Sequence, residues 1–370
     1  MAALPNETPR APTGAPDSSP HRAAAATPAP AVGIAAPHPP PSRAGGTDPA
    51  ERRAARRFLL TVVALLLAGV GLLAGGHMAL ARIGRLPDPP LTATWCIDEK
   101  LAALRDVALE DRVLLALGSS ATWRNLDMPL VAAQLGDERV YNAAPCYLHI
   151  DQTAFLAGFL LDRAPQLRTV LVVLAPRDFE SCPAEATAFF DTALADAYLS
   201  GLVPSWLPYV TGFRPLYLAR AAAGVLDGAP LGPEAVAEDG LGSSILRNPH
   251  PWRPAPAFDE ACYAGLAELE RVVAAHGARL VLATLPVMPE WRDSFDPDGR
   301  LVETWMRRMR ETLRQPGTLL VDGRALRWTD EHFADPVHLR YPHHTAFTAL
   351  ILRGMAASPH PGAGAPQPGS

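Results

Sequence analysis

A serine pair and a distant Asp/His pair have the residue types and spacing best suited to chemistry. Ser119 and Ser120 follow a short apolar run, and Asp335 and His338 lie far along the chain. A serine hydroxyl becomes a nucleophile when an imidazole takes its proton and a carboxylate fixes the imidazole tautomer. A carboxylate three positions before an imidazole, with Pro336 between them, can turn back to accept the Nδ1–H. The sequence therefore predicts a triad of Ser120, His338 and Asp335. Ser119 is the alternative nucleophile.

Five apolar runs predict the strands that would position these groups. The runs alternate with helical patterns, which is typical of parallel strands joined by crossover helices. In open sheets of this kind, ligands bind at the carboxyl ends of the strands, where Ser120 would stand. The pattern predicts an α/β fold, a three-layer α/β/α sandwich around a five-stranded parallel sheet. The predicted strands are 113–117, 139–142, 169–175, 279–284 and 318–322.

Helical patterns separate these strands, and a stretch rich in Pro and Gly interrupts the alternation. This stretch, residues 201–256, carries Trp206, Tyr209, Tyr217 and Trp252. We interpret it as an insertion that forms a lid beside the site or faces a membrane or a partner. The predicted helices are 98–109, 127–135, 151–162 with Asp151 as N-cap, 184–199, 259–276, 299–313 and 344–355.

The amino-terminal part of the chain predicts a membrane anchor. Four arginines precede an uncharged run from 58 to 81. The run is long enough to cross a bilayer, and the positive-inside rule puts the chain beyond it outside the cytoplasm. The alternative to a retained anchor in 51–85 is a signal peptide cleaved after Ala79-Leu80-Ala81.

Other segments of the chain are interpreted from their composition. Residues 1–50 are rich in Ala and Pro and poor in large apolar side chains, which predicts a disordered cytoplasmic tail. A Pro-rich ligand for a partner and a start site placed too far upstream are the alternatives. The remaining segments are a linker and helix at 86–109, the α/β domain at 110–357 and a flexible tail at 358–370.

The net charge, the cysteines and the histidines near the site indicate which partners and cofactors to expect. A formal net charge of −5 gives no reason to expect a nucleic-acid partner. The four cysteines show no C-x-x-C pair. Near the site, His332, His343 and His344 have no partner at metal-ligand spacing. The sequence therefore predicts no metal and no cofactor. Export of the domain permits disulfides.

At the serine and Asp/His segments the chain resembles the SGNH/GDSL hydrolase superfamily, over about residues 110–355. It is similar to the membrane-anchored, extracytoplasmic group that includes alginate O-acetylation proteins and related envelope acyl-transfer proteins. The stretch 118–120 matches the first block, with Ser119 where Asp is common and Ser120 at the nucleophile position. Residues 141–144 and 175–179 resemble the second and third blocks, and 335–338 matches the closing Asp-x-x-His. The resemblance implies oxyanion-hole roles for Ala144 and Arg177, where the superfamily usually has Gly and Asn.

The resemblance also implies a function. We expect an exported serine esterase or O-acyltransferase, with acetyl as the expected acyl group, that acts on an envelope polysaccharide or glycoconjugate. Transfer would require a multi-span membrane-bound O-acyltransferase as partner, because a single span cannot carry acyl groups across the bilayer. The expected location is the inner (cytoplasmic) membrane, single-pass, with the domain on the periplasmic or extracellular side. The alternative is a catalytically inactive carbohydrate-binding or scaffold protein of the same fold, which Ala144 and Arg177 favour.

The resemblance suggests one disulfide. Cys146 and Cys182 follow the second and third blocks, whose loops both border the nucleophile in this fold. A Cys146–Cys182 disulfide is therefore a hypothesis for this chain.

Overall fold

The computed structural model is mixed α/β and describes residues 48–92, 94–182, 186–226, 235–246 and 256–358. The chain divides into two units between Gly69 and Val70. The strands are β1 (Leu114–Leu117), β2 (Val140–Asn142), β3 (Thr169–Leu174), β4 (Ala235–Glu238), β5 (Ser244–Leu246), β6 (Arg279–Thr284), β7 (Leu319–Val321), β8 (Phe333–Asp335) and β9 (His338–Leu339). The helices are α1 (Pro49–Arg82), α2 (Trp95–Leu104), α3 (Ser120–Trp123), α4 (Met128–Leu135), α5 (Ile150–Leu161), α6 (Thr192–Leu199), α7 (Leu207–Thr211), α8 (Pro215–Leu226), α9 (Glu260–Ala275), α10 (Pro289–Phe295), α11 (Arg300–Thr312) and α12 (His344–Ala357).

A five-stranded parallel sheet lies at the centre of the second unit, in the order β2-β1-β3-β6-β7. Its register pairs Leu114 of β1 with Val140 of β2 and Thr169 of β3. The chain adds β2 on one side of β1 and then continues to β3 on the other. The connections therefore reverse direction between β1 and β3. The carboxyl ends of two such strands form the crevice in which open α/β sheets bind ligands.

The sheet confirms the five predicted strands, with ends that differ by at most one residue. Each residue of β1 and β6 is buried, as is all of β3 except Thr169. Continuous apolar runs of this kind are expected where a strand is covered on both of its faces. Parallel strands also need crossover connections, and helices follow β1, β2, β3 and β6 in the chain.

The helices follow the predictions with local differences. Helix α5 begins at Ile150, and its N-cap is His149 instead of the predicted Asp151. Helix α6 begins only at Thr192, because Asp191 caps it by accepting the N–H groups of Ala193 and Leu194. Of the longer helix predicted there, residues 184 and 185 lie outside the described residues.

Helices α5 and α9 pack closely against each other. The contact depends on Gly265, where a Cβ atom would lie 2.8 Å from the Cα of Asp151. Helix α11 packs on α9, and helix α12 packs on α4 and β7.

The predicted insertion contains helices α7 and α8 and the antiparallel β4–β5 hairpin. The hairpin reaches the end of β2, where the Asn142 N–H donates to the Leu241 carbonyl at 2.8 Å. The Asn142 side-chain amide donates to Ser243 Oγ, also at 2.8 Å. Part of the insertion therefore lies against the second of the four sequence blocks. Trp252 lies outside the described residues.

Among the described residues, α1 is the one helix long and apolar enough to cross a membrane. It contains the whole predicted apolar run and starts before the arginines. Because α1 begins at Pro49, the last residues of the predicted disordered tail are helical, whereas residues 1–47 lie outside the described residues. The predicted carboxyl-terminal tail lies outside them from residue 359 onward.

The cysteines pair differently from the hypothesis. Cys146 is bonded to Cys96 at the start of α2, and Cys182 is bonded to Cys262 in the first turn of α9. The predicted Cys146–Cys182 disulfide is therefore wrong. Each cysteine that follows a strand instead joins its loop to a helix outside the sheet. Two disulfides in one domain are typical of an oxidising compartment.

Candidate active site

A tight turn at the end of β1 presents the serine pair. Gly118 has a φ of +134°, and a Cβ atom there would lie 2.4 Å from Thr122 Oγ1. This conformation and this lack of space both require glycine. Thr122 Oγ1 donates to the Val173 carbonyl at 3.0 Å and accepts the Val173 N–H at 2.9 Å. These bonds fix the turn against β3 beside the crevice.

The two serines differ in their surroundings. Ser119 is buried and caps α3, because its Oγ accepts the Ala121 N–H at 3.2 Å. The Ser119 hydroxyl also hydrogen-bonds the Asp178 carboxyl group. Ser120 is half-buried and lines a cavity of about 960 Å³. The hydroxyl of Ser119 therefore has structural partners, and Ser120 is the better-placed nucleophile.

The Asp/His pair lies on the β8–β9 hairpin, which turns at Pro336. His338 Nδ1 lies 2.9 Å from Oδ1 and 2.8 Å from Oδ2 of Asp335. A carboxylate can only accept here, so the imidazole carries its proton on Nδ1 and Nε2 is the basic nitrogen. The Val337 N–H donates to Asp335 Oδ1 at 2.9 Å, which orients the carboxylate. Both side chains are at least 98% buried.

The structure brings the predicted triad residues to one cavity. Ser120, Asp335 and His338 all line it. Apolar and aromatic side chains make up much of the remaining wall: Tyr147, Phe189, Leu285, Met288, Trp291 and Trp305. A cavity with a few convergent polar groups in an apolar lining is the usual form of a small-molecule site.

Asn125 connects the two halves of this site, and sequence reasoning missed it. Its Nδ2 donates to the Ala121 carbonyl of α3 at 2.7 Å and to the Val337 carbonyl of the hairpin at 2.9 Å. Its Oδ1 accepts the Leu339 N–H at 2.6 Å. The fully buried side chain thus holds the nucleophile helix against the turn that carries His338. A single asparagine after a short helical pattern gives no sequence signal for such a role.

The two predicted oxyanion-hole residues differ in whether they line the cavity. Arg177 lines the cavity and forms an ion pair with Glu180. Ala144 is fully buried, is not part of the cavity wall, and donates its N–H to Asn142 Oδ1 at 3.1 Å. The Ala144 N–H thus has an internal acceptor in this structure, and its oxyanion role stays a prediction. Arg177 stays a prediction.

Asp178 is a buried carboxyl group in the cavity wall. Its Oδ2 accepts the Ala175 N–H at 2.8 Å, the capping role that we expect for an Asp after β3. Burial raises the pKa of Asp178 from 3.8 to about 7, although the bonds from Ala175 and Ser119 act in the opposite direction. The cavity therefore gains a negative charge as the pH rises through neutrality.

Sequence reasoning also missed the role of Lys100, whose side chain is buried. It is the only lysine in the chain, and burial lowers its pKa to about 7. Its Nζ donates to the Asn142 carbonyl at 3.0 Å and to the Gly242 carbonyl at 2.7 Å. Nζ also lies 4.7 Å from the centre of the Trp123 ring. Lys100 thus ties α2, the end of β2 and the β4–β5 hairpin together.

If the site cleaves esters, the titration of Asp178 predicts a change in the pH profile of that reaction. Ionisation of Asp178 above a pKa of about 7 adds a negative charge to the cavity wall, which opposes an oxyanion that develops in the same cavity and lowers kcat. We expect Asp178→Asn to remove this alkaline decrease, and we expect Glu311→Gln on the exposed face of α11 to keep it. The measurement is kcat from about pH 5 to about pH 10. The same decrease in the Asn variant would contradict the assignment.

The raised pKa of Asp178 also makes the free energy of unfolding depend on pH. The folded protein holds a proton on Asp178 up to a pKa of about 7, whereas the unfolded chain loses it near 3.8. This group therefore makes the free energy of unfolding fall as the pH rises from about 4 to about 7.

Comparison with known proteins gives no family assignment. No family model matches the chain, and no curated protein matches it at a significant level. What the site can do is therefore inferred from its own residues.

Proposed function

We propose that this chain is a serine esterase or O-acyltransferase of the SGNH hydrolase type, built on a three-layer α/β/α sandwich. One observation carries the proposal. The Asp335 carboxylate accepts from His338 Nδ1 in the wall of a cavity that Ser120 also lines. That arrangement makes Nε2 the basic nitrogen in a cavity that also holds a serine hydroxyl, and nucleophilic catalysis requires such a base and such a hydroxyl.

The reaction would run through an acyl-enzyme. His338 Nε2 takes the proton of Ser120 as Oγ forms a bond to the acyl carbon. The tetrahedral intermediate collapses, the ester C–O bond breaks, and His338 returns the proton to the leaving alcohol. Water or a sugar hydroxyl then attacks the acyl-enzyme, His338 takes its proton, and Ser120 regains it. Asp335 holds the imidazole and stabilises its charged form.

The cavity supports a small acyl group on a carbohydrate. Tyr147 lies at the cavity and is 54% exposed, so its ring is open to stack on a sugar. Arg177 offers a guanidinium group to a developing oxyanion or to an anionic sugar. Acetyl is the proposed acyl group, and an envelope polysaccharide or glycoconjugate is the proposed substrate.

The location is part of the proposal. Helix α1 would anchor the protein in the inner membrane in a single pass, because four arginines precede its apolar run. The domain would lie on the periplasmic or extracellular side, where its two disulfides can persist. In the transfer mode, the acyl donor would be a multi-span membrane-bound O-acyltransferase.

Hydrolysis and transfer can be separated with the purified full-length protein in detergent. We expect release of the alcohol from a chromogenic acetyl ester. A transferase would also form an acetylated sugar when an acceptor oligosaccharide is added, and mass spectrometry would detect it. Alcohol release with no sugar product supports an esterase. No alcohol release under either condition would contradict both.

A second function, an inactive carbohydrate-binding protein, is favoured by one observation. The Ala144 N–H donates to Asn142, so one expected oxyanion donor has an internal acceptor. A fluorophosphonate probe separates the two functions. Labelling that is lost in Ser120→Ala supports the enzyme, whereas sugar binding with no labelling supports the binding protein.

A further inference from the structure

An apolar surface on α7, α8 and the residues around them is left exposed by the part of the chain that the structure describes. Beyond Arg85, the exposed large apolar side chains of the described residues are concentrated here; elsewhere they are Trp95, Leu135, Tyr147 and Tyr341. We call this the α7–α8 surface. Its members are between 38% and 87% exposed: Leu202, Trp206, Val210, Phe213, Leu216, Tyr217 and Leu226.

The composition of the α7–α8 surface indicates lipid as its occupant. Residues 201–226 contain no Asp or Glu, and their charged side chains are Arg214 and Arg220. No side chain of α8 is buried. Apolar helices with Trp, Phe and Leu on one face and basic residues beside them are typical of segments that lie in the plane of a membrane interface. A surface that meets water would expose fewer large apolar groups.

The position of the α7–α8 surface also indicates lipid as its occupant. The ring of Tyr209 in α7 packs edge-on against His77 in the last turns of α1, with ring centres 5.1 Å apart. The Tyr209 hydroxyl donates to the Pro87 carbonyl at 2.6 Å. Arg214, between α7 and α8, forms an ion pair of 3.2 Å with Asp98 of α2. The surface is therefore attached both to the last turns of the apolar helix and to residues that follow it.

We propose that the α7–α8 surface docks into the bilayer leaflet from which α1 emerges at Arg82. At about 1.5 Å per helical residue, His77 lies roughly 7 Å short of Arg82, so its partner Tyr209 lies at the depth of the interface. Tyrosine and tryptophan rings are enriched at this depth. Arg220 can extend to lipid phosphates while its apolar neighbours enter the acyl region. The proposal depends on α1 crossing the membrane and not on the serine chemistry.

Docking would also fix the candidate active site beside the membrane. Arg214 holds Asp98 in α2, and Ile97 of the same helix lines the cavity. One helix thus joins the lipid-facing surface to the cavity wall. This connection favours substrates that are held at the membrane surface.

The test places a fluorescent label on the α7–α8 surface of the full chain. The native cysteines are disulfide-bonded, so Leu216→Cys can be labelled selectively with an environment-sensitive fluorophore. Leu135→Cys, on α4, is the matched control at an exposed leucine. Leu66→Cys in α1 reports whether the anchor is inserted. Each variant is placed in nanodiscs at one copy per disc, with and without nitroxide lipids.

We expect blue-shifted emission and several-fold stronger lipid quenching at residue 216 than at residue 135, with strong quenching at residue 66. Water-like emission at 216 would overturn the proposal. Blue-shifted emission without lipid quenching would overturn it as well, because a protein surface would then cover the site. If residue 66 is not quenched, α1 does not cross the membrane, and the proposal fails because it requires that crossing. Ester cleavage measured on the same discs tests the proposed function separately. If the protein shows no activity but residue 216 is still quenched by the lipids, the docking proposal is supported and the proposed function is not.

Discussion

Replacing Ser120 with alanine should reduce kcat/KM for ester cleavage by about 10⁴-fold and abolish fluorophosphonate labelling. The substitution removes the nucleophile and leaves the cavity and the Asp335–His338 bond in place. Because Ser120 is half-buried and forms only the start of α3, we expect little change in the free energy of unfolding. Steady-state kinetics with a chromogenic acetyl ester and a thermal melt measure the two quantities.

The neighbouring serine is the matched control. Ser119→Ala removes the cap of α3 and the bond to Asp178, at a cost of about 1 kcal/mol in stability. It keeps the Ser120 nucleophile, so we expect labelling to persist. Labelling lost in Ser119→Ala and retained in Ser120→Ala would reverse the assignment. Equal activity in both variants and the wild type would contradict serine catalysis by this pair.

Replacing Asn125 with alanine should have the second-largest effect. The change leaves the Val337 carbonyl and the Leu339 N–H without their buried partner, one on each side of His338. Each unsatisfied buried group costs about 1–3 kcal/mol, so we expect a loss of about 3 kcal/mol in the free energy of unfolding. A hairpin that is no longer held to α3 also misplaces the base, so kcat should fall about 10²-fold with KM nearly unchanged.

Two further variants separate positioning from a general loss of stability. Asn125→Asp keeps the acceptor for Leu339 but replaces the two donated bonds with repulsion between oxygen atoms, so kcat should fall as well. Thr348→Val removes a different hydrogen bond, from the Asp127 N–H at 3.0 Å, which joins α12 to the start of α4 instead of α3 to the hairpin. It should lower stability with kcat unchanged. A normal kcat in a folded Asn125→Ala protein would contradict the positioning role.

If both results are obtained, the serine and the base of the site are positioned by different parts of the fold. The crevice between β1 and β3 presents the serine, because the connections leave these strands in opposite directions. The hairpin that carries the base lies outside the parallel sheet, in a two-stranded sheet of its own. The strand pairing of the parallel sheet therefore does not position the hairpin, and the three hydrogen bonds of Asn125 tie it to α3.

Local sequence patterns predicted much of the framework. Continuous Val- and Leu-rich runs mark buried parallel strands, because each residue must be compatible with both covered faces of the sheet. The spacing of Asp335 and His338 predicted their hydrogen bond, because three residues with a proline between them limit the geometry. The helix caps at Asp127, Asp191 and Asp259 depend on neighbouring residues alone. Asp127 and Asp259 stood at predicted helix starts; Asp191 fell inside a predicted helix, yet its capping bonds are also local.

Only the tertiary structure decided the contacts between distant segments. The sequence alone determined which segments form the five-stranded sheet, which run can cross a membrane and which residues could form a catalytic triad, because periodicity and composition are local properties. Which cysteines pair, where the Ala144 N–H points, and what Lys100 and Asn125 hold together depend on how helices and loops pack around the sheet. Those contacts join residues as far as 214 positions apart, and no local pattern encodes a distance across the fold.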